Sequence, residues 1–501
     1  MKSPVIGGFR NLKPFFGRLL FPRITGFCVF LFLQIHSLDV SAGSFLNNAQ
    51  SDIFIQIINN NQTDEIAKRL HNTPQSPQKV FLESYHFTLD ALINDNAESF
   101  RKLEEKTSTY IKIIESFRKE IPHLEYLLIS RIYLNMAFVH IHFGNNVKGI
   151  LAYRQANQYL KKQLFNYPET EENKGIQAVV EIFSGSIPDN YKTLAGLAGF
   201  SGNTETGFKL LKDYLKYSRQ SDYLHSEALL WNSFVGSRYN SFFSNFNSND
   251  IEIIKQSNIL SFFYGFSLLK QRKPLETLEI VNNNSLNNFP LTYYLRGISN
   301  LTLLNIDEAK NELTDFLKYH KGTCYRNDAA RKLYWIAFFN NNKEGVDFWK
   351  SKAVISAIPQ TTVDKEAINE CSRNVLPNKD LLKSRLLFDG GNYPKALETV
   401  INAAIPYSNK SWIVEKEYRT GRIFLAMGQI DNAIKPFENC VDNYSSDIKS
   451  YYPAYSALEL ATIYHNKKMF DERDKWIKKC NELNNGDYKF EIKEKLSKLK
   501  N

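Results

Sequence analysis

The sequence predicts an all-α fold, an α-solenoid of antiparallel helix pairs. Three observations lead there. Glycine and proline number only 23 and 16 among 501 residues, too few for the turns of a strand-dense fold. A hydrophobic share of 43%, with 27 Tyr and 36 Phe, excludes a disordered chain. A frame of small and large apolar residues recurs along a chain too long for one compact core, which indicates a stacked array.

The frame is clearest in "GRIFLAMGQIDNAIKPFENC", where Gly421, Phe424, Ala433, Phe437 and Cys440 alternate small and large. It recurs as Ala461, Tyr464, Arg473, Ile477 and Cys480, and as Ser384, Leu387, Ala396, Val400 and Ala403 around the bend "DGGNYPKA". Another copy holds Gly297, Asn300, Ala309, Leu313 and Phe316, and weaker ones surround Gly265, Ala195 and Ala137. In a helix pair the small residue of the first helix lets the second approach, while large residues fill the opposing groove. One pair cannot bury its apolar face, so pairs must stack. The frame is similar to the tetratricopeptide repeat, whose period is about 34 residues. Uneven spacing of Ala309, Ala396, Ala433 and Arg473 means that loops are lengthened or that an extra pair intervenes, around Ala330 in "NDAARKLYWIAFFNNNKEGVDFWKSKA". Asn-rich stretches such as "FNNNKEG" mark bends.

From the N-terminus, residues 1–42 read as a secretory signal peptide. Lys2, Arg10, Lys13, Arg18 and Arg23 precede the apolar stretch from Phe27, and Val40-Ser41-Ala42 forms a small-residue site. A mitochondrial presequence and a short uncleaved anchor are the alternatives. Residues 43–120 are expected to form a helical cap, 121–285 degenerate repeats, 286–375 and 376–485 further repeats, and 486–501 a basic C-terminal helix. No later segment approaches the ~18 apolar residues of a membrane span. The expected setting is the periplasm or cell envelope.

Losing those five cations and Asp39 takes the net charge from +10 to +6, with lysines scattered among acids. No basic stripe or aromatic-basic module points to nucleic acid. Cys324, Cys371, Cys440 and Cys480 lie too far apart for a zinc knuckle and read as buried thiols, although an oxidising compartment would allow pairing. His140 and His142, two apart on a helix, make a poor metal pair. No catalytic signature appears, and no Asp or Glu stands in an apolar, aromatic setting that would raise its pKa. The chain is therefore read as no enzyme, with no metal and no cofactor.

A binding surface is better motivated. Counting from each small position puts Tyr418, Arg422 and Leu425 on the concave side of one repeat, and Leu381, Arg385 and Phe388 on the preceding one. The last repeat adds Tyr455, Leu458 and His465. Arg385 and Arg422 in equivalent slots beside aromatics suit a carboxylate or peptide terminus, or else inter-repeat salt bridges. The expected partner is another protein or peptide.

Three stretches carry a more specific resemblance: "SGSIPDNYKTLAGLAGFSGNTETGFKLL", "LLKSRLLFDGGNYPKAL" and "SYYPAYSALELATIYHNKKMFDERDKWIKKC". Together they resemble the tetratricopeptide-repeat-39 family, which includes the eukaryotic inclusion-body clearance protein, and most closely its uncharacterised exported bacterial members. The resemblance spans residues 120–490. It implies a helical solenoid in protein interaction or envelope assembly and supplies no catalytic residues. The export signal departs from the eukaryotic pattern. An intracellular or organelle-associated adaptor and a carbohydrate-binding or purely structural envelope protein are the alternatives.

Overall fold

A computed structural model describes residues 46–59, 63–168, 173–187, 196, 199–219, 222–239, 241–242, 244–282, 289–355, 361–373, 375–445, 448, 450–484 and 488–499. The signal segment 1–42, the helix start at Pro188-Asp189 and the frame position Ala195 lie outside them. Among the described residues there are 24 helices and no strand. They begin with α1 (Asn48–Asn59), α2 (Thr63–Asn72), α3 (Pro77–Ile93), α4 (Ala97–Ser116), α5 (Glu125–His142), α6 (Asn146–Asn166), α7 (Asn173–Gly185) and α8 (Thr204–Ser218). Next come α9 (Asp222–Arg238), α10 (Ser248–Lys255), α11 (Asn258–Lys270), α12 (Pro274–Val281), α13 (Pro290–Thr302), α14 (Ile306–Tyr319), α15 (Arg326–Phe339) and α16 (Lys343–Val354). The remainder are α17 (Thr362–Cys371), α18 (Lys379–Asp389), α19 (Tyr393–Ile401), α20 (Lys410–Ala426), α21 (Ile430–Asp442), α22 (Tyr452–Asn466), α23 (Phe470–Leu483) and α24 (Lys489–Lys498).

The chain forms two compact units. The first contains the described residues up to 271 with Leu275–Gly297 and Lys310–Arg373; the second contains Arg272–Pro274, Ile298–Ala309 and the described residues from 375 on. In the second unit, α18 packs on α19, α20 on α21 and α22 on α23. The pairs are antiparallel. Near the α18–α19 bend Phe388 meets Tyr393 at 5.6 Å, and one turn farther from it the Ser384 hydroxyl donates to the Ala396 carbonyl at 2.8 Å. In α20–α21, Gly421 faces Phe437 and the Asn439 amide donates to Glu417 at 3.3 Å. The frame residues make the core: Ala396, Val400, Ala433, Phe437, Cys440 and Ala461 are buried completely.

A rule of the bends emerges only in three dimensions. Seven residues after the small position the backbone turns left-handed: Gly144 follows Ala137, Gly391 follows Ser384 and Gly428 follows Gly421. Arg272, Leu304 and Lys468 hold the same place after Gly265, Gly297 and Ala461 without being glycine. At five of these six turns the next residue donates its N–H five residues back, as Gln429 does to Phe424 and Met469 to Tyr464, both at 2.9 Å. This closes the first helix with a Schellman cap. Asparagine side chains then start the next helix or the next pair, as Asn342, Asn378, Asn392 and Asn409 do.

In the first unit α5 packs on α6, α7 on α8 and α15 on α16. The extra pair expected around Ala330 is α15–α16, with its bend at left-handed Asn341. Around Ala137 the glycine sits on the second helix instead, where a Cβ on Gly149 would come within 3.0 Å of the Ala137 carbonyl. The four cysteines among the described residues are buried, and none of them is in a disulfide. No described helix is long and apolar enough to cross a membrane.

Candidate functional site

The residues expected on a binding face all belong to the second unit. Frame spacing carries Phe388 of α18 and Tyr418 of α20 to the Arg422 guanidinium, whose carbon stands 4.7 Å from the Phe388 ring centroid and 5.6 Å from that of Tyr418. Phe388, Tyr418 and Tyr455 are largely buried, so each offers a ring face or edge rather than a free side chain. Arg385, Arg422 and His465 are half-buried. Leu381 and Leu458 belong to the core, and Leu425 packs partly against it. Arg385 lies 3.9 Å from Asp389 on its own helix. His465 stands apart from this cluster of contacts, edge-on to Phe470 at 6.3 Å. Arg422 makes no hydrogen bond and no ion pair with any described residue, so its planar donor edge is held on aromatic faces without an acceptor.

Spacing within the frame missed the tyrosines that extend this surface. Tyr418 stacks on Tyr452 at 4.7 Å, Tyr452 meets Tyr451 at 4.7 Å, and Tyr451 reaches both Tyr455 and Tyr488. The dense run "SYYPAY" was their signal in the sequence. Arg419 pairs with Glu415 and lies 5.9 Å over Tyr452, and Lys495 lies 5.2 Å over Tyr455. Burial pushes the Glu459 carboxyl up, opposed by Lys495 and Arg422.

The expectation that no acid sits among apolar and aromatic groups is corrected in the first unit. Glu227 of α9 is fully buried; it accepts from the phenols of Tyr85 on α3 and Tyr214 on α8, and Arg131 of α5 stands 3.7 Å away. Burial drives its carboxyl up to about 8, against the opposing pull of Arg131 and both phenols. The tertiary fold assembles this cluster from four helices, so no local spacing announces it. A catalytic acid must reach substrate, and Glu227 has no solvent-accessible surface.

His140 and His142 take different carboxylates. His140 stands 3.8 Å from Glu104, while His142 Nε2 contacts Asp95 Oδ1 at 2.5 Å. Cys324 Sγ approaches the same Asp95 oxygen at 3.8 Å, so half-buried Asp95 and buried His142 and Cys324 form a group of metal-ligating chemistry.

Interlocked small and large residues, Schellman bends and antiparallel pairs define an all-α helical-hairpin repeat protein of tetratricopeptide-like design. No protein-family model matches the chain, and no curated protein does. Among solved structures the chain is similar to a monomeric mutant of IFIT1 with m7Gppp-AAAA, at 12% identity over 88% of this chain and 96% of that one, with a TM-score of 0.30. The human IFIT1 dimer with m7Gppp-AAAA gives 13% identity over 91% and 96%, at 0.29. The anaphase-promoting-complex hetero-tetramer Cut9–Hcn1 gives 11% identity over 91% and 96%, at 0.25.

Proposed function

We propose that the chain is a non-enzymatic helical-repeat scaffold that binds another protein or peptide in the cell envelope. The carboxylate of that partner is received by Arg422. One observation carries the reading: Arg422 is oriented by Phe388 and Tyr418 yet meets no acceptor among the described residues. A guanidinium stacked on rings has already lost much of its rotamer freedom, so little more is lost when a carboxylate docks bidentately. The adjoining Tyr451, Tyr452 and Tyr488 supply amphipathic contact area for the rest of such a segment. The envelope setting rests on the basic, apolar and small-residue order of residues 1–42. Kinship with exported relatives of the tetratricopeptide-repeat-39 family rests on the three stretches quoted above.

The test is an array of peptides with free C-terminal carboxylates, probed with the full chain and with Arg422→Ala. A charge-assisted hydrogen bond contributes about 1.5–3 kcal/mol, so bound peptides should lose roughly tenfold or more with the variant. Amidated twins should lose as much against the unaltered chain. If the array holds no peptide that prefers the unaltered chain to Arg422→Ala, the reading fails.

A further inference from the structure

We infer that Asp95, His142, His320 and Cys324 form a binding site for a zinc-class divalent cation in the first unit. Three separate segments converge there. Asp95 lies in the bend between α3 and α4 with left-handed φ of 52°, His142 ends α5, and His320 and Cys324 lie in the connection from α14 to α15.

Three donor groups meet, and a fourth stands next to one of them. His142 Nε2 is 2.5 Å and Cys324 Sγ 3.8 Å from Asp95 Oδ1, and one ligand atom from each of the three lies within 4.8 Å of the others. His320 is the fourth. A Cβ on Gly322 would come 2.4 Å from Asp95 Oδ2 and 2.8 Å from His320 Nε2, so both atoms flank the small space that glycine leaves open. His320 is 4% exposed, and its buried Nε2 has no hydrogen-bond partner. A buried imidazole nitrogen is seldom left unmatched. Here it sits across Gly322 from the Asp95 carboxylate.

The donor chemistry selects the ion. One sulfur, two imidazole nitrogens and one carboxylate oxygen match the tetrahedral preference of Zn²⁺, whereas Mg²⁺ and Ca²⁺ require oxygen. Thiolate and carboxylate together balance the dication, and the thiol proton leaves to solvent when the metal enters. Two ligands on one zinc stand roughly 3.3 Å apart given bonds of about 2.0–2.1 Å. His142 and Asp95 therefore separate by less than about 1 Å to admit it. The Asp95 Oδ2 atom also accepts from Thr323 N at 2.6 Å, from Thr323 Oγ1 at 3.3 Å and from Cys324 N at 3.3 Å, which fixes the carboxylate as an outer-shell partner would. With His320 drawn in as the fourth donor the site is closed, so its role is to staple the three segments rather than to activate water.

The full chain, stripped with chelator and titrated with Co²⁺, is the test. One equivalent should bind with intense visible d–d bands and a thiolate charge-transfer band, and one equivalent of Zn²⁺ should displace it and raise the melting midpoint. Cys324→Ser should abolish the charge-transfer band, while Cys371→Ser, whose thiol is buried elsewhere, should keep it. His320→Gln removes a nitrogen with no hydrogen bond to lose, and should weaken cobalt binding about tenfold or more even where Cys324→Ser fails to fold. Failure of stoichiometric uptake, a band that survives Cys324→Ser, or unchanged affinity in His320→Gln would each overturn the site.

Discussion

Gly421 and Phe437 are packed so closely that a Cβ on the glycine would lie 2.6, 2.7 and 2.8 Å from three carbons of the phenylalanine ring. The ring is wholly buried, with Tyr418 6.4 Å from it, and has little room to retreat. The approach of α20 to α21 is thus set by one missing methyl group.

Gly421→Ala should therefore destabilise the second unit by about 1–3 kcal/mol, the usual cost of overpacking. Urea unfolding followed by circular dichroism measures this. An unchanged midpoint would mean that the helices slide apart freely and that the interlock is not specific.

Lys468→Gly should do the reverse. Lys468 adopts φ of 59° to close α22, where a left-handed side chain costs roughly 1–2 kcal/mol relative to glycine. Glycine's greater freedom in the unfolded chain returns part of that, so a net gain of about 0.5–1 kcal/mol is expected. A loss of stability on thermal melting would contradict it.

Measured above pH 8, where the Glu227 carboxyl is ionised beside Arg131, Glu227→Gln removes that charge while keeping the side-chain volume. Breaking one member of a buried ion pair costs about 3–5 kcal/mol. Adding Arg131→Met should recover part of the loss, and a double-mutant cycle reads the coupling directly. Strict additivity would show that the two groups do not interact.

His320 gives a pH signature in chelator-treated protein. Burial holds its imidazole down at about 4, below the ordinary 6.5, so below pH 6.5 the unfolded chain takes up a proton that the folded chain refuses. The contribution is complete above pH 6.5 and shrinks as pH falls towards 4, by up to about 3 kcal/mol. Between pH 7.5 and 4.5, His320→Gln should lose less stability than the unaltered chain. Parallel curves would mean that His320 titrates alike in both states.

The repeat fold was legible because its code is local. Gly421, Ala433 and Phe437 meet through offsets fixed by helical periodicity and one short bend, so adjacency in space follows from spacing in sequence. The left-handed turn was legible at Gly428 and Gly391 but not at Leu304 or Lys468. There the cap enforces a conformation that the residue type does not advertise. The frame put Arg385 and Arg422 in equivalent slots, but the contact of Arg422 with Phe388 joins different slots of successive repeats, and the tyrosines beyond Tyr418 did not follow from the frame.

By itself the sequence determined an all-helical chain of stacked pairs and the small positions that set their approach. Only the tertiary structure decided which distant polar groups share a buried space. Glu227 meets Tyr85 across 142 residues, and Asp95 meets Cys324 across 229. The physical reason is that helix packing is encoded by short, periodic complementarity. A cluster of charges, phenols or ligands depends instead on where several helix ends arrive together, and no single stretch of chain records that.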